Sequence, residues 1–305
     1  MNRQSNLTDF AAGDIFVAAT LLNNPEDDHA GDGRIIQYDA QFNEKGVWWA
    51  NQPSHLIGGL NFDADGVLWA FDSQEFRVYR IGDGGTALAV PDYPKRAFSS
   101  VNFGSDGSVY LGEHVRGDTI TVELGTVIPK MPGSDRYGDG HIFRFDANGQ
   151  LLNEYATETH GGMAGFLGVT MAALAPDERS IVYTTETSPR LMRYDIVNDR
   201  QLPDVLSYPD GQREMFFGMA FNGKGELMVT RGNRIDVLDD DAKVARSYPL
   251  AGFGWACITA CASDDYVLTS NFFSGEVAKV DTNSGEIVAQ VNVGVERSVA
   301  GIAER

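Results

Sequence analysis

The sequence predicts an all-β fold: a six-bladed β-propeller with four antiparallel strands per blade, closed by pairing the N- and C-terminal strands in one blade. Three observations predict it. A short alternating pattern ending in Asp recurs six times along the chain. A strand–turn–strand pattern precedes most of its copies. The copy missing from the start is found at the very end.

The recurring pattern reads GRIIQYD at 33–39, RVYRIGD at 77–83, GHIFRFD at 140–146, RLMRYD at 190–195, NRIDVLD at 233–239 and GEVAKVD at 275–281. Apolar residues alternate with polar ones, which is the period of a strand. The Asp residues are 44, 63, 49, 44 and 42 positions apart. This pattern is expected to be the third strand of each blade.

The first two strands are expected at 59–70 (GLNFDADGVLWA), 101–111 (VNFGSDGSVYL), 173–183 (ALAPDERSIVY), 219–229 (MAFNGKGELMV) and 259–268 (TACASDDYVL). Asp-Gly or an equivalent pair supplies the turn of each hairpin. Fourth strands are expected at 46–49, 87–90, 151–155, 243–246 and 286–291. Four strands in about 40 to 50 residues is the repeat of a propeller blade. The first strand of blade one is expected at 298–303 (SVAGIA), beside 14–19 (DIFVAA). That pairing removes the two edges of an open ring. No linker or second domain is expected within 1–305.

Hydrophobic residues make up 43% of the 305, enough for a core without disulfides. The formal charge of −19 excludes a nucleic-acid or anionic-membrane surface, since phosphate binding needs a cationic footprint. A neutral, cationic or metal-bearing partner fits better. Cys257 and Cys261 would stand roughly 13 Å apart along a strand, too far to bridge. They are expected to be reduced core residues. No signal-like segment starts the chain, and no run of about 18 apolar residues occurs. A cytoplasmic location is expected, although a processed signal would already be missing.

The turns FDADGVLW at 62–69 and APDERSIVYTT at 175–185, each followed by the third-strand pattern, resemble a group of six-bladed propellers. That group comprises the gluconolactonase/senescence marker proteins, the strictosidine synthase-like proteins and the NHL repeats. The resemblance implies a central channel with ligand sites at one mouth. That mouth is built by the loops entering strand one and those joining strands two and three. In the gluconolactonase branch it holds a divalent metal. The corresponding positions here are Ser99 or Ser100, Thr170 and Phe217, which are poor cation ligands or none. No metal site and no cofactor are expected.

At that mouth the sequence places Glu113 and His114, Glu186, His160 and Arg231 as candidate catalytic residues. His55, Asp72, Phe166, Phe216, Phe217, Trp255 and Asn271 are candidate substrate-binding residues. A histidine with a nearby carboxylate can move protons near neutral pH. Arg231 would steady developing negative charge. Glu113 and His114, being adjacent in a strand, should face opposite ways. They begin an insertion, about 113–140, apolar enough to pack over the mouth as a lid. The residues are expected to serve a small-molecule enzyme using acid–base chemistry. The resemblance implies lactone or ester hydrolysis first. A lyase, a carbon–carbon bond-forming enzyme of the strictosidine synthase-like type, or a non-catalytic binding scaffold are the alternatives.

Overall fold

In a computed structural model, residues 3–24, 31–50, 57–73, 75–114, 140–159, 168–209, 212 and 214–305 are described. They form six four-stranded antiparallel sheets. Blade one holds β1 (Ile15–Leu22), β2 (Gly31–Tyr38) and β3 (Glu44–Trp49). Blade two holds β4 (Ile57–Phe62), β5 (Leu68–Asp72), β6 (Arg77–Gly82) and the short β7 (Thr86–Ala87). Blade three holds β8 (Phe98–Phe103), β9 (Val109–Glu113), β10 (Ile142–Phe145) and β11 (Leu151–Tyr155). Blade four holds β12 (Met171–Leu174), β13 (Ser180–Thr184), β14 (Arg190–Asp195) and β15 (Arg200–Ser207). Blade five holds β16 (Met219–Phe221), β17 (Leu227–Thr230), β18 (Arg234–Leu238) and β19 (Val244–Pro249). Blade six holds β20 (Trp255–Ala260), β21 (Tyr266–Asn271), β22 (Glu276–Asp281) and β23 (Ile287–Asn292). The last strand, β24 (Val299–Glu304), returns to blade one as its inner strand.

The closing strand lies where the sequence placed it. Ile15 pairs with Glu304, Val17 with Ile302 and Ala19 with Val299, with a bulge between Ala18 and Ala19. The inner strands touch in the order β24, β4, β8, β12, β16, β20 and back to β24, so the ring is complete.

The recurrent Asp has a local cause. Asp39 Oδ1 accepts from the amides of Gln41 (2.9 Å) and Asn43 (2.8 Å), bending the chain from strand three into strand four. Asp146 and Asp239 repeat this with the amides two and four positions on. Asp195 and Asp281 make the equivalent bonds two and three positions on. Such Asx turns need one residue in the left-handed region. Phe42 at φ 61° and Ala242 at φ 60° fill that position.

The core lies between blades, not at the centre of the ring. Six apolar clusters are each drawn from two neighbouring blades. The second strand of a blade is therefore covered on both faces: β5 and β9 are buried at every residue. The outer strands β19 and β23 stand largely in solvent. No helix among the described residues is long and apolar enough to cross a membrane.

Candidate functional site

An inner strand is a sheet edge, so half of its backbone groups point into the channel and need partners. Side chains of neighbouring blades supply many of them. Asn61 donates to Val101 O (3.1 Å), and Asn102 both donates to Ala172 O and accepts from the Leu174 amide (3.0 Å each). Ser99 donates to Thr170 O (3.0 Å) and Thr230 to Ala256 O (2.7 Å). What remains is a shaft of about 300 Å³ lined by all six inner strands, Gly59, Asn102, Ala172, Cys257 and Ala300 among them. That volume suits a small molecule or part of one.

One titratable side chain lines the shaft among the described residues: Cys257. Its thiol is pushed up to about 11 by burial, with the nearby Ser270 hydroxyl pulling the other way and the charge of Glu186 adding to the rise. The Glu186 turn is well anchored. The Glu186 amide donates to Thr170 Oγ1 (2.9 Å), Thr185 Oγ1 donates to Gly168 O (2.6 Å), and the Phe216 amide donates to Ser188 O (2.8 Å). Between Glu186 and Ser188 stands Thr187 at φ 58°. A β-branched residue in the left-handed region is strained, and such strain gathers at functional sites. Replacing it with Asn, which tolerates that conformation, is expected to raise stability by about 0.5–1 kcal/mol. Comparing the melting curves of Thr187→Asn and the natural chain checks this.

His114 borders the same segment. Its amide donates to Ala97 O (2.7 Å), and its carbonyl lies against Gly168. The stretch from Gly168 to Thr170 is thus flanked by His114 on one side and by the Thr185–Glu186 turn on the other.

Glu113 is the last residue of β9. It is fully buried in blade three, accepts from the Gly140 amide (2.9 Å) and is 3.4 Å from the Arg96 guanidinium. Arg231 sits in a network of its own. It donates to Met215 O (2.7 Å), pairs with Glu214 and Asp236, and lies 4.2 Å from the Phe216 ring centre. Phe216 is the floor of that stack and is fully buried. Trp255 is buried between blades five and six, donating to Ala251 O (2.8 Å). Asp72 and Asn271 hold turns: Asp72 accepts from the Glu75 amide, Asn271 from those of Phe273 and Ser274. His55, His160, Phe166 and residues 115–139 of the lid expected at about 113–140 lie outside the described residues.

Phe217 is half-buried just before the inner strand of blade five, and it has company the sequence reading did not single out. Its ring meets Phe253 edge-on at 5.9 Å, Phe253 stacks on Phe273 at 6.2 Å, and Phe273 meets Phe272 at 5.4 Å. Phe253 is 48% exposed and Phe273 47%. The signal was there: a bulky aromatic between glycines at 251–254 (AGFG), where a turn would ordinarily be polar.

At the positions that correspond to the metal ligands of the resembled branch, Ser99, Thr170 and Phe217 offer a hard cation little. The Ser99 hydroxyl is engaged with the Val169 and Thr170 carbonyls, and the Thr170 hydroxyl accepts from Glu186. Phe217 has no donor atom to offer. No group of three His, Cys, Asp or Glu gathers among the described residues.

Both cysteines are free and buried. Burial first, then the charge of Glu304, pushes Cys261 up to about 12. A raised thiol pKa means that the folded chain holds its proton longer than the unfolded one. This contribution is complete below the ordinary thiol value of 9.0 and is lost as pH climbs through about 11 and 12. A Cys257→Ala, Cys261→Ala variant should therefore lose less stability between those limits than the natural chain. Urea melts at stepped pH measure the difference.

No known protein family matches the chain, and no curated protein does. Solved structures match it in fold. A chain of a nidogen/laminin complex shares 13% identity at a TM-score of 0.62, over 95% of this chain and 98% of the other. A catalytically inactive histidine-to-alanine variant of virginiamycin B lyase from Staphylococcus aureus, with quinupristin, shares 14% at a TM-score of 0.57, over 98% and 91%. A gluconolactonase from Xanthomonas campestris shares 16% at 0.55, over 87% and 85%. At these identities the likeness is one of fold, and the same ring serves different ends in each.

Proposed function

We propose that this protein is an enzyme acting on a small, partly apolar molecule at the upper mouth of the channel, where it cleaves a lactone- or ester-type bond by acid–base chemistry. The observation behind this is the Glu186 turn: a carboxylate on a well-bonded loop next to a strained residue, its charge felt by Cys257, which lines the shaft. A carboxylate there can take a proton from a water that attacks the substrate carbonyl. His114, on the far side of Gly168–Thr170, is the candidate to return a proton to the leaving oxygen. Cys257 keeps its own proton at neutral pH and is not the nucleophile. Arg231, already held by two carboxylates, keeps the blade-five loop in shape. No step runs through a metal.

The same base could instead take a proton from carbon, giving elimination. The fold is shared with a gluconolactonase and with virginiamycin B lyase, so both reactions belong in the test. The test is a screen of lactones, esters and cyclic depsipeptides against the natural chain and Glu186→Gln, read by mass spectrometry. Hydrolysis adds the mass of one water to the substrate; elimination leaves the total unchanged. Turnover that survives Glu186→Gln would defeat the assignment. Absence of turnover throughout the panel would favour a binding scaffold.

A further inference from the structure

The exposed phenylalanines are a built surface. Phe253 packs closely against Gly232, where a Cβ would come within 2.4 Å of its ring. Phe273 lies on Gly254 in the same way, at 2.5 Å. Both glycines also adopt the left-handed region, at φ 83° and 116°. Any other residue at either position would push a ring off its seat. Asn271 fixes the two turns to each other, donating to Phe253 O (3.2 Å) and accepting from the Phe273 amide (3.0 Å). Two large apolar rings are thus held half in water, in near-parallel array. Held this way, they lose almost no further freedom when a ligand settles on them.

The shelf is continuous with the proposed site. Phe217 enters the inner strand of blade five, and its neighbour Phe216 is bridged to Ser188, two residues from Glu186. From Phe217 the rings run across blade six to the entrance of blade one, where the Arg297 amide donates to Phe273 O (3.2 Å). Besides Arg297, the neighbouring charges are acidic or paired. Glu276 accepts from Ser274 beside the Phe273 turn (2.8 Å), and Arg231 and Arg234 are both paired with Glu214 and Asp236. With a formal charge of −19 overall, an anionic ligand is repelled.

We infer that Phe217, Phe253 and Phe273 form a ring-binding subsite, which takes a planar aromatic group of a neutral or cationic substrate while the reacting bond lies at Glu186. This rests on the reading of the mouth as a small-molecule site. Offset stacking against a fixed ring adds selectivity beyond simple burial.

The probe is N-phenyl-1-naphthylamine, a neutral planar fluorophore, titrated into the full chain. One saturable site is expected. Phe253→Ala and Phe273→Ala should each weaken it by about tenfold, and Phe253→Leu by less, since leucine keeps apolar area but no flat face. Unchanged far-ultraviolet circular dichroism and melting confirm that these half-exposed positions leave the fold intact. Glu186→Gln should bind the probe like the natural chain, which separates this inference from the catalytic one. Equal affinity in the Phe→Ala variants, or binding without saturation, would overturn the subsite. So would a dimer in sedimentation that Phe253→Ala dissolves, because the patch would then be an interface between copies.

Discussion

A chain lacking residues 298–305 is expected to aggregate, or to lose most of its cooperative melting. These eight residues contain β24, which is the inner strand of blade one and the clasp of the ring. Its removal takes Val299, Ile302 and Ala303 out of two neighbouring cores. The two larger side chains alone are worth about 3–6 kcal/mol of burial. A domain has only about 5–15 kcal/mol of stability in total. The loss does not stop there. β1, buried from Ile15 to Thr20, would become an open edge with unpaired amides and carbonyls. Apolar edges of that kind pair with other chains. Scanning calorimetry and light scattering on the truncated chain test this. A melting temperature equal to that of the natural chain would contradict the role of β24 as the clasp.

Replacing Glu186 by Gln is expected to lower turnover of the true substrate by about 10² to 10⁴-fold, the scale for removing a general base. The fold should be unaffected. The loop is held through the Glu186 amide, Thr185 and Ser188, and none of these bonds uses the Glu186 carboxylate. Gln keeps the shape and removes the ability to take a proton. The acidic limb of the pH–rate profile should vanish with the carboxylate, which a purely structural role would not produce. His114→Gln should lower turnover on the same scale if it supplies the returning proton, and should act on the opposite limb. A drop in kcat/KM for Glu186→Gln with the pH profile unchanged would show a positioning role instead.

The blade pattern was legible because its causes are local. Asp39, Asp146 and Asp239 each tie down amides two and four residues on, so the turn is written within five positions. The alternation of strands two and three likewise reports burial on each face. Even the closing strand, nearly three hundred residues from its partner, could be placed because a five-copy strand in a six-copy repeat leaves one vacancy to fill. The short β7 is less well anticipated: 87–90 reads as strand, yet only Thr86–Ala87 pairs, after the 3-10 turn at Asp83–Gly85. Phe10 donates to Asp83 there, engaging the oxygen that elsewhere shapes the Asx turn.

The candidate site was legible in part. Glu186 and Phe217 were named from their places at strand ends; the charge of Glu186 is felt by Cys257, which lines the shaft, and Phe217 meets Phe253 edge-on. Phe253 and Phe273 were passed over because their role depends on Gly232 and Gly254, which lie next to them only after folding.

Sequence alone determined the number of blades, the strand order, the turn chemistry and the way the ring is shut, since each follows from periodicity or from bonds between near neighbours. Only the tertiary structure decided what each mouth residue faces. Phe216 and Phe217 show why. They are adjacent and chemically identical, yet one is fully buried under Arg231 and the other, half-buried, meets the exposed ring of Phe253. Glu113 shows it too, its carboxylate turned into blade three, where it accepts from the Gly140 amide. A blade is packed on both faces, so an apolar or charged residue at a strand end reads the same whichever neighbour it meets. The packing of six blades settles that choice.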